Sequence, residues 1–351
     1  MENQGENTTM ESKKKLYQMF YAYQQSMCVY ILTRLGIPNL LKYGPYPVET
    51  IAEKTSTNVE MLYVILRALA HLGVLEEQPE RVFGQTEMSA LLVTDEGPSL
   101  GHFGTHFIIP SMWQPWQELE DCLHTGEVPF ERVNGKSVYQ FTKDNPPIND
   151  LFNNALTAFT SELADSLLEV YDFSEFNKVM DIGGGLGVLL SRIIKKSGIK
   201  GILFDLPQVV EKAPEFLSGQ GIASDAVEVV GGDVFGELPK GADAIVMKHF
   251  LSLWDKENAL KVLSRCKEAL PKNGKVILLQ TLVPALGDPV ECPDGTIPAL
   301  FAVQLMVANP GGYWRTEQEF KELFTASGFQ LEKVVHTRTQ LSVMEFSIKN
   351  A

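Results

Sequence analysis

Residues 179–187 read Val-Met-Asp-Ile-Gly-Gly-Gly-Leu-Gly, and this stretch decides the fold around it. The apolar run that ends at Ile182 reads as a buried strand that feeds directly into the glycines. Backbone without side chains lets a ligand approach the strand's C-terminal edge closely. Four further runs repeat the theme: GILFDLP, AVEVVGGD, ADAIVMKHF and GKVILLQTLV, with helical segments between them. Strands alternating with helices predict a parallel, doubly wound sheet. The end of the chain, FQLEKVVHTRTQLSVMEFSIKN, reads as two consecutive strands, a terminal antiparallel hairpin on that sheet. Residues 173–351 are therefore expected to form an α/β Rossmann-like domain with a mostly parallel sheet.

The glycine loop selects among ligands. A dinucleotide fingerprint needs G-x-G-x-x-G. Counted from Gly183 the sixth position is Val188, and from Gly185 it is Leu190, so the NAD reading is weak. A tight turn without a ligand is the plainer alternative. Two acids favour a ligand. Asp205 ends the second strand, where a carboxylate's two oxygens can accept from both hydroxyls of a ribose. Asp233, in GGDVF after the third strand, can accept from an adenine amino group. Asp181 at the head of the loop repels a pyrophosphate and suits a cationic ligand without phosphate, such as S-adenosylmethionine.

Upstream the texture is helical. Over residues 14–105 the clearest stretch is PVETIAEKTSTNVEMLYVILRALAHLGVLEE. Val48, Ile51 and Ala52 mark a short amphipathic helix, and Thr55, Ser56 and Thr57 a turn. Met61, Leu62, Ile65, Leu66, Leu69 and Leu72 recur at helical spacing until Gly73. VLEEQPERVFGQTE then reads as a small hairpin, which completes a winged-helix order. A DNA-reading helix presents Arg, Lys, Asn and Gln to the groove. This one offers only Asn58 and Arg67 and is apolar around its circumference, so burial or dimerisation is the expectation. Residues 106–172 form a helical, aromatic linker. Its His106, Phe107, Trp113, Trp116 and Phe159, with Met306 further on, are candidates for the wall of an apolar substrate pocket. Inter-domain core is the alternative for the same side chains.

Bulk properties narrow the partners. A formal net charge of -14 over 351 residues repels phosphate backbones and anionic lipid. No window approaches an uninterrupted membrane-spanning run, and the polar start MENQGENTTMESKKK, read as frayed, precedes no apolar signal segment. Cys28, Cys122, Cys266 and Cys292 form no CxxC pair, so reduced thiols and a cytoplasmic protein are expected. His102 and His106 are spaced i, i+4, but no third ligand is evident and no metal is expected.

The set VMDIGGGLG, FDLPQVV, GGDVF, MKHFLSLWD and GGYWRT, in that order, resembles the plant-type and hydroxyindole-type S-adenosylmethionine-dependent O-methyltransferases. The stretch LGIPNLL through LGVLEE resembles their dimerisation domain. The resemblance implies a homodimer acting on a small molecule. It also implies a cofactor site lined by Asp181, Gly183, Gly185, Asp205, Leu206, Asp233, Phe235 and Lys248.

The chain departs from the family where the acid–base chemistry sits. The family segment usually reads K-x-x-L-H-D-W, and its histidine takes the acceptor's proton. Here Ser252 stands in place of that histidine. Gln280 replaces a glutamate late in the fifth strand, and Trp314 replaces the glutamate of GG-x-E-R-T. His249 is the nearest substitute base, and strand alternation turns it away from Ser252. A general base contributes about 10²–10⁴-fold. Methyl transfer to an acceptor that needs no strong base is therefore the leading expectation. A cofactor-retaining enzyme that transfers no methyl group (a pericyclase, rearrangement or hydroxylation catalyst) is the alternative. A winged-helix ligand-sensing regulator stands third.

Overall fold

The computed structural model describes residues 2–285, 287, 292, 296–309 and 315–349, with residues 2–8 described by backbone alone. Two compact units emerge: Met1–Gln114 with Thr142–Phe159, and Pro115–Phe141 with Thr160–Ala351. This division cuts through the 106–172 region that the sequence texture set apart.

In the first unit, α1 (Glu2–Arg34) contains the polar start, which is helical rather than frayed. Its Glu, Gln, Lys and Met residues are good helix formers. Next come α2 (Val48–Thr55) and α3 (Val59–His71), then a hairpin of β2 (Leu75–Gln78) and β3 (Val82–Gln85). The short β1 (Tyr46–Pro47) pairs with β3 to give the sheet order β1-β3-β2. Asn58 caps α3 by accepting from the Met61 N–H at 3.1 Å. Leu62, Leu66 and Leu69 bury one face of α3 against Leu32, Ile51 and Phe83. The opposite face is open: Met61 is 72% and Val64 67% exposed, so α3 is not buried all round. Its apolar circumference reflects two faces, of which the unit's own core covers one. Helix α4 (Leu100–Ile108) follows.

The second unit carries the sheet. Its strands are β4 (Lys178–Ile182), β5 (Lys200–Asp205), β6 (Val227–Gly231), β7 (Ala244–Lys248), β8 (Lys275–Thr281), β9 (Phe329–His336) and β10 (Leu341–Ile348). The order is β6-β5-β4-β7-β8-β10-β9. The first five are parallel, whereas β10 runs antiparallel to both β8 and β9. The doubly wound sheet and terminal hairpin are thus as the sequence predicts. Successive strands step outward from β4 in one direction, then cross to β7 on its other side. That reversal opens a crevice at the C-terminal end of β4, where ligands bind in such sheets.

Helices α5 (Val188–Ser197), α6 (Lys256–Ala269), α7 (Pro298–Ala308) and α8 (Glu317–Ala326) belong to this unit. Val262, Leu263 and Cys266 of α6 and Phe320 and Phe324 of α8 bury themselves in one core with Met180, Ile202, Ile245 and Leu278 of the strands. Phe324 stacks on Phe346 of β10 at 3.6 Å between centroids, which ties the hairpin to α8. Among the described residues no cysteine is in a disulfide.

Candidate active site

Four strand ends converge on the crevice. β4 delivers Asp181, whose side chain is 1% exposed. One of its carboxylate oxygens has no hydrogen-bond partner among the described residues. Desolvation pushes its pKa up to about 7, with the Lys248 cation opposing the rise and the Asp205 charge adding to it. Lys248, at the end of β7, is pushed down to about 8 by desolvation, with Asp181 opposing.

The glycines then take the chain across the crevice. Gly183 has φ +71°, and a Cβ there would lie 2.3 Å from Cδ2 of Phe250, so the loop passes flush against that ring. Gly185 has φ +60°, and a Cβ there would meet nothing within 4 Å. The loop therefore has a packed side at Gly183 and an open side at Gly185. Asp205, at the end of β5, holds this shape. Its Oδ2 accepts from the Gly185 N–H at 2.9 Å and its Oδ1 from the Leu206 N–H at 2.7 Å. Burial raises its pKa, and these two donors work against the rise. Asp233, beyond β6, accepts from the Phe235 N–H at 3.0 Å, and the Phe235 ring meets Trp254 edge-on at 4.9 Å. Asp181, Gly183, Gly185, Asp205, Leu206, Asp233, Phe235 and Lys248 all lie on strand C-terminal ends or the loops leaving them.

The turn after β7 is built differently from the expectation. His249 has φ +52°, in the left-handed region. Its Nε2 lies 3.3 Å from the Thr281 backbone N and 3.1 Å from the Thr281 hydroxyl. A backbone N–H can only donate, so Nε2 accepts and the ring proton sits on Nδ1. Burial and the neighbouring Lys248 hold its pKa well below the usual histidine value. The Nε2 lone pair accepts the Thr281 N–H here, so His249 is a neutral histidine engaged with β8.

Ser252 lies in the short 3₁₀ turn Leu251–Leu253 and is fully buried, its hydroxyl without a partner among the described residues. Gln280 is equally buried, and its amide donates to the Thr281 carbonyl at 3.4 Å. Neither side chain carries a group that titrates near neutrality. Trp314 lies outside the described residues.

The pocket candidates fall into two sets. In the first unit Phe103 stacks on Phe159 at 5.1 Å and meets Phe107 edge-on at 4.9 Å, while His106 packs on Phe107 and Phe152. His106 is 4% exposed, burial pushes its pKa down to about 4, and its Nδ1 has no partner among the described residues. Trp113 also belongs to this unit. In the second unit Trp116 donates to Gln304 of α7 at 3.2 Å, and Met306 on the same helix is 39% exposed. His102 lies 3.1 Å from the Ser99 hydroxyl. Among the described residues no group of three His, Cys, Asp or Glu could hold a metal.

Phe250, Trp254, Thr281 and Arg315 shape the site and were missed in the sequence. Arg315 stands in the GGYWRT stretch, but its partners are far away along the chain.

A switch-point crevice with a glycine loop, flanking acids and an acid where a phosphate would sit defines the nucleoside-cofactor end of a Rossmann-like methyltransferase. Residues 116–330 match the O-methyltransferase domain and residues 17–95 the O-methyltransferase dimerisation domain. The chain is 33% identical over 334 residues to phenazine O-methyltransferase PhzM of Lysobacter antibioticus, covering 94% of each. It is 32% identical over 351 residues to anthranilate N-methyltransferase of Ruta graveolens, covering 96% of this chain and 93% of the relative. The crystal structure of LaPhzM superposes with a TM-score of 0.87 at 32% identity, covering 96% of this chain and 99% of that one. The chain belongs to the O-methyltransferase family and is an S-adenosylmethionine-dependent enzyme of that type. These comparisons favour neither the non-methylating alternative nor the regulator.

The residues present fit the cofactor. The unpartnered Asp181 oxygen suits a cationic amino group, and the open side of Gly185 leaves room for a ligand against bare backbone. No described helix is long and apolar enough to cross a membrane.

Proposed function

We propose that this enzyme methylates a small, partly apolar acceptor, aromatic or of natural-product type, whose nucleophilic atom needs no histidine base. The observation that carries this reading is the state of His249, whose Nε2 is taken up by the Thr281 N–H. Ser252 and Gln280 supply no substitute. An amine, a thiolate or an acidic phenol arrives with its lone pair available, and alignment then supplies much of the rate. The methylation of anthranilate nitrogen by one relative is consistent with this class.

S-Adenosylmethionine supplies an electrophilic methyl group on a sulfonium. Asp205 would receive the ribose hydroxyls on the lone pairs that Gly185 and Leu206 leave free. Asp181 would receive the amino group, and Asp233 and Phe235 would take the adenine. In the first unit Phe107, Trp113 and Phe159 would offer an acceptor apolar surface and His106 a neutral polar contact; in the second, Trp116 and Met306 are the apolar candidates.

A homodimer completes the proposal. α1 exposes Leu16, Tyr17, Met19, Phe20, Tyr21 and Tyr23, an apolar surface that calls for a partner, and it overlaps the dimerisation match. Cysteines outside disulfides suit a reducing compartment such as the cytoplasm.

The test uses S-adenosylmethionine labelled in the methyl group with a phenazinol, caffeic acid and anthranilate as acceptors. Labelled product and S-adenosylhomocysteine should appear, and the pH–rate profile should follow the ionisation of each acceptor. With S-adenosylmethionine saturating at every pH, an enzyme group titrating near pH 6–7 in kcat with every acceptor would refute the base-free reading. Product without label would refute methyl transfer.

A further inference from the structure

Arg315 is 4% exposed, and its guanidinium spans two backbone carbonyls of one turn. Nη1 donates to the Leu251 carbonyl at 3.3 Å and Nη2 to the Trp254 carbonyl at 2.7 Å. Its own carbonyl accepts from the Val283 N–H at 3.1 Å, so the chain leaving β8 anchors the arginine in turn. At the other end of the same turn, His249 is tied to Thr281, the last residue of β8. The segment 249–254 is thus held to the β8 side at both ends. A non-glycine residue in the left-handed region, such as His249, persists only where its surroundings enforce it.

What the turn presents between those anchors gives the clamp its use. The Phe250 ring lies flush against Gly183 of the cofactor loop. Trp254 meets Phe250 at 6.1 Å and Phe235 at 4.9 Å, so the aromatic wall reaches from the glycine loop to the segment after Asp233. We propose that Arg315 is a positioning residue for methyl transfer, holding this wall as the rigid backing of the cofactor site. The proposal rests on the base-free reading above. Where no acid–base group lowers the barrier, alignment supplies the rate, and a displacement of about 1 Å costs about 10²-fold. Lysine cannot take the role, because one compact ammonium does not reproduce a planar fork that reaches two carbonyls.

The experiment compares wild type, Arg315→Ala and Arg315→Lys. It measures S-adenosylhomocysteine affinity by calorimetry, and kcat and KM with whichever acceptor the wild type methylates. Arg315→Ala should weaken S-adenosylhomocysteine binding by about tenfold or more and lower kcat by about 10²-fold, with KM for the acceptor little changed. Arg315→Lys should stay close to Arg315→Ala, and added methylguanidinium should restore part of the kcat of Arg315→Ala. Wild-type affinity and kcat in Arg315→Ala, with or without a lower melting temperature, overturn the proposal, as does full activity in Arg315→Lys. Should Arg315→Ala not fold, His249→Gln removes the other anchor; the same kcat-weighted loss is expected, and unchanged kinetics overturn the clamp. A wild type that methylates nothing would sink the methyl-transfer reading alone, because the affinity measurements still decide whether the clamp shapes the cofactor site.

Discussion

Alanine at Gly183 and at Gly185 should separate the packed side of the cofactor loop from its open side. Both glycines have positive φ, +71° and +60°, so either substitution carries the left-handed penalty of about 1–2 kcal/mol. At Gly185 that is the whole cost to folding, because the added Cβ meets nothing within 4 Å. At Gly183 the Cβ would lie 2.3 Å from Cδ2 and 2.9 Å from Cε2 of Phe250. Carbon atoms pack at about 3.5–4.0 Å, so the ring or the loop must retreat by roughly an ångström. Overpacking of that kind costs about 1–3 kcal/mol, which brings the total for Gly183→Ala to about 2–5 kcal/mol. Urea unfolding reads the stability and calorimetry with S-adenosylhomocysteine reads the site. Gly185→Ala should unfold only slightly earlier than wild type yet lose at least about tenfold in affinity, about 1.4 kcal/mol, because its methyl group occupies the open face. Gly183→Ala should be clearly the less stable of the two. Wild-type affinity in Gly185→Ala would show that the cofactor does not lie against this loop, and equal stabilities would show that Phe250 does not back it.

Three further outcomes follow from the site. Asp205→Ala should abolish S-adenosylhomocysteine binding, because it removes the proposed ribose acceptor and the tie to the Gly185 N–H together; unchanged affinity by calorimetry would move the ribose contact elsewhere. Asp181 has a folded pKa raised from 3.8 to about 7, so the folded state binds the extra proton. Its contribution to stability is fully present below about pH 4 and is lost as pH rises toward 7. Asp181→Asn should therefore show a flatter melting temperature between those limits, and a parallel wild-type curve would refute the shift. Ser252→Ala removes a buried hydroxyl that lacks a described partner, so it should be neutral or stabilising by about 1 kcal/mol in urea unfolding and leave kcat within a few-fold. A large fall in kcat would make Ser252 a participant in the chemistry.

Much of the second unit was legible because buried parallel strands announce themselves as short apolar runs ending in glycine or acid. KVMDI, GILFD and AIVMK carry the sheet and, at or next to their last residues, the candidate cofactor residues Asp181, Asp205 and Lys248. What failed depended on information that local patterns lack. The strand alternation that set His249 against Ser252 does not continue past Lys248, because the backbone at His249 turns left-handed. Its bond to Thr281 spans 32 residues, and the two bonds of Arg315 span 64 and 61. No window of periodicity contains such pairs. The apolar circumference of α3 showed which residues could pack but not how many faces its own unit covers, and Met61 and Val64 stand open.

The distribution of charge across the site explains why a missing histidine need not mean a missing activity. Asp181 at about 7 and Lys248 at about 8 are the described site groups held near neutrality, and both lie beside the glycine loop. The turn from His249 to Trp254 contributes a neutral imidazole, a buried hydroxyl and two aromatic rings. If Asp181 receives the cofactor's amino group as proposed, proton-linked behaviour near pH 7 should show in cofactor binding, where an anionic Asp181 favours a cation. On the proposed reading the methyl-transfer step is left to geometry. On the base-free reading proposed above, acceptors are sorted by the nucleophile they bring, so amines and acidic phenols should react faster than less acidic phenols and alcohols.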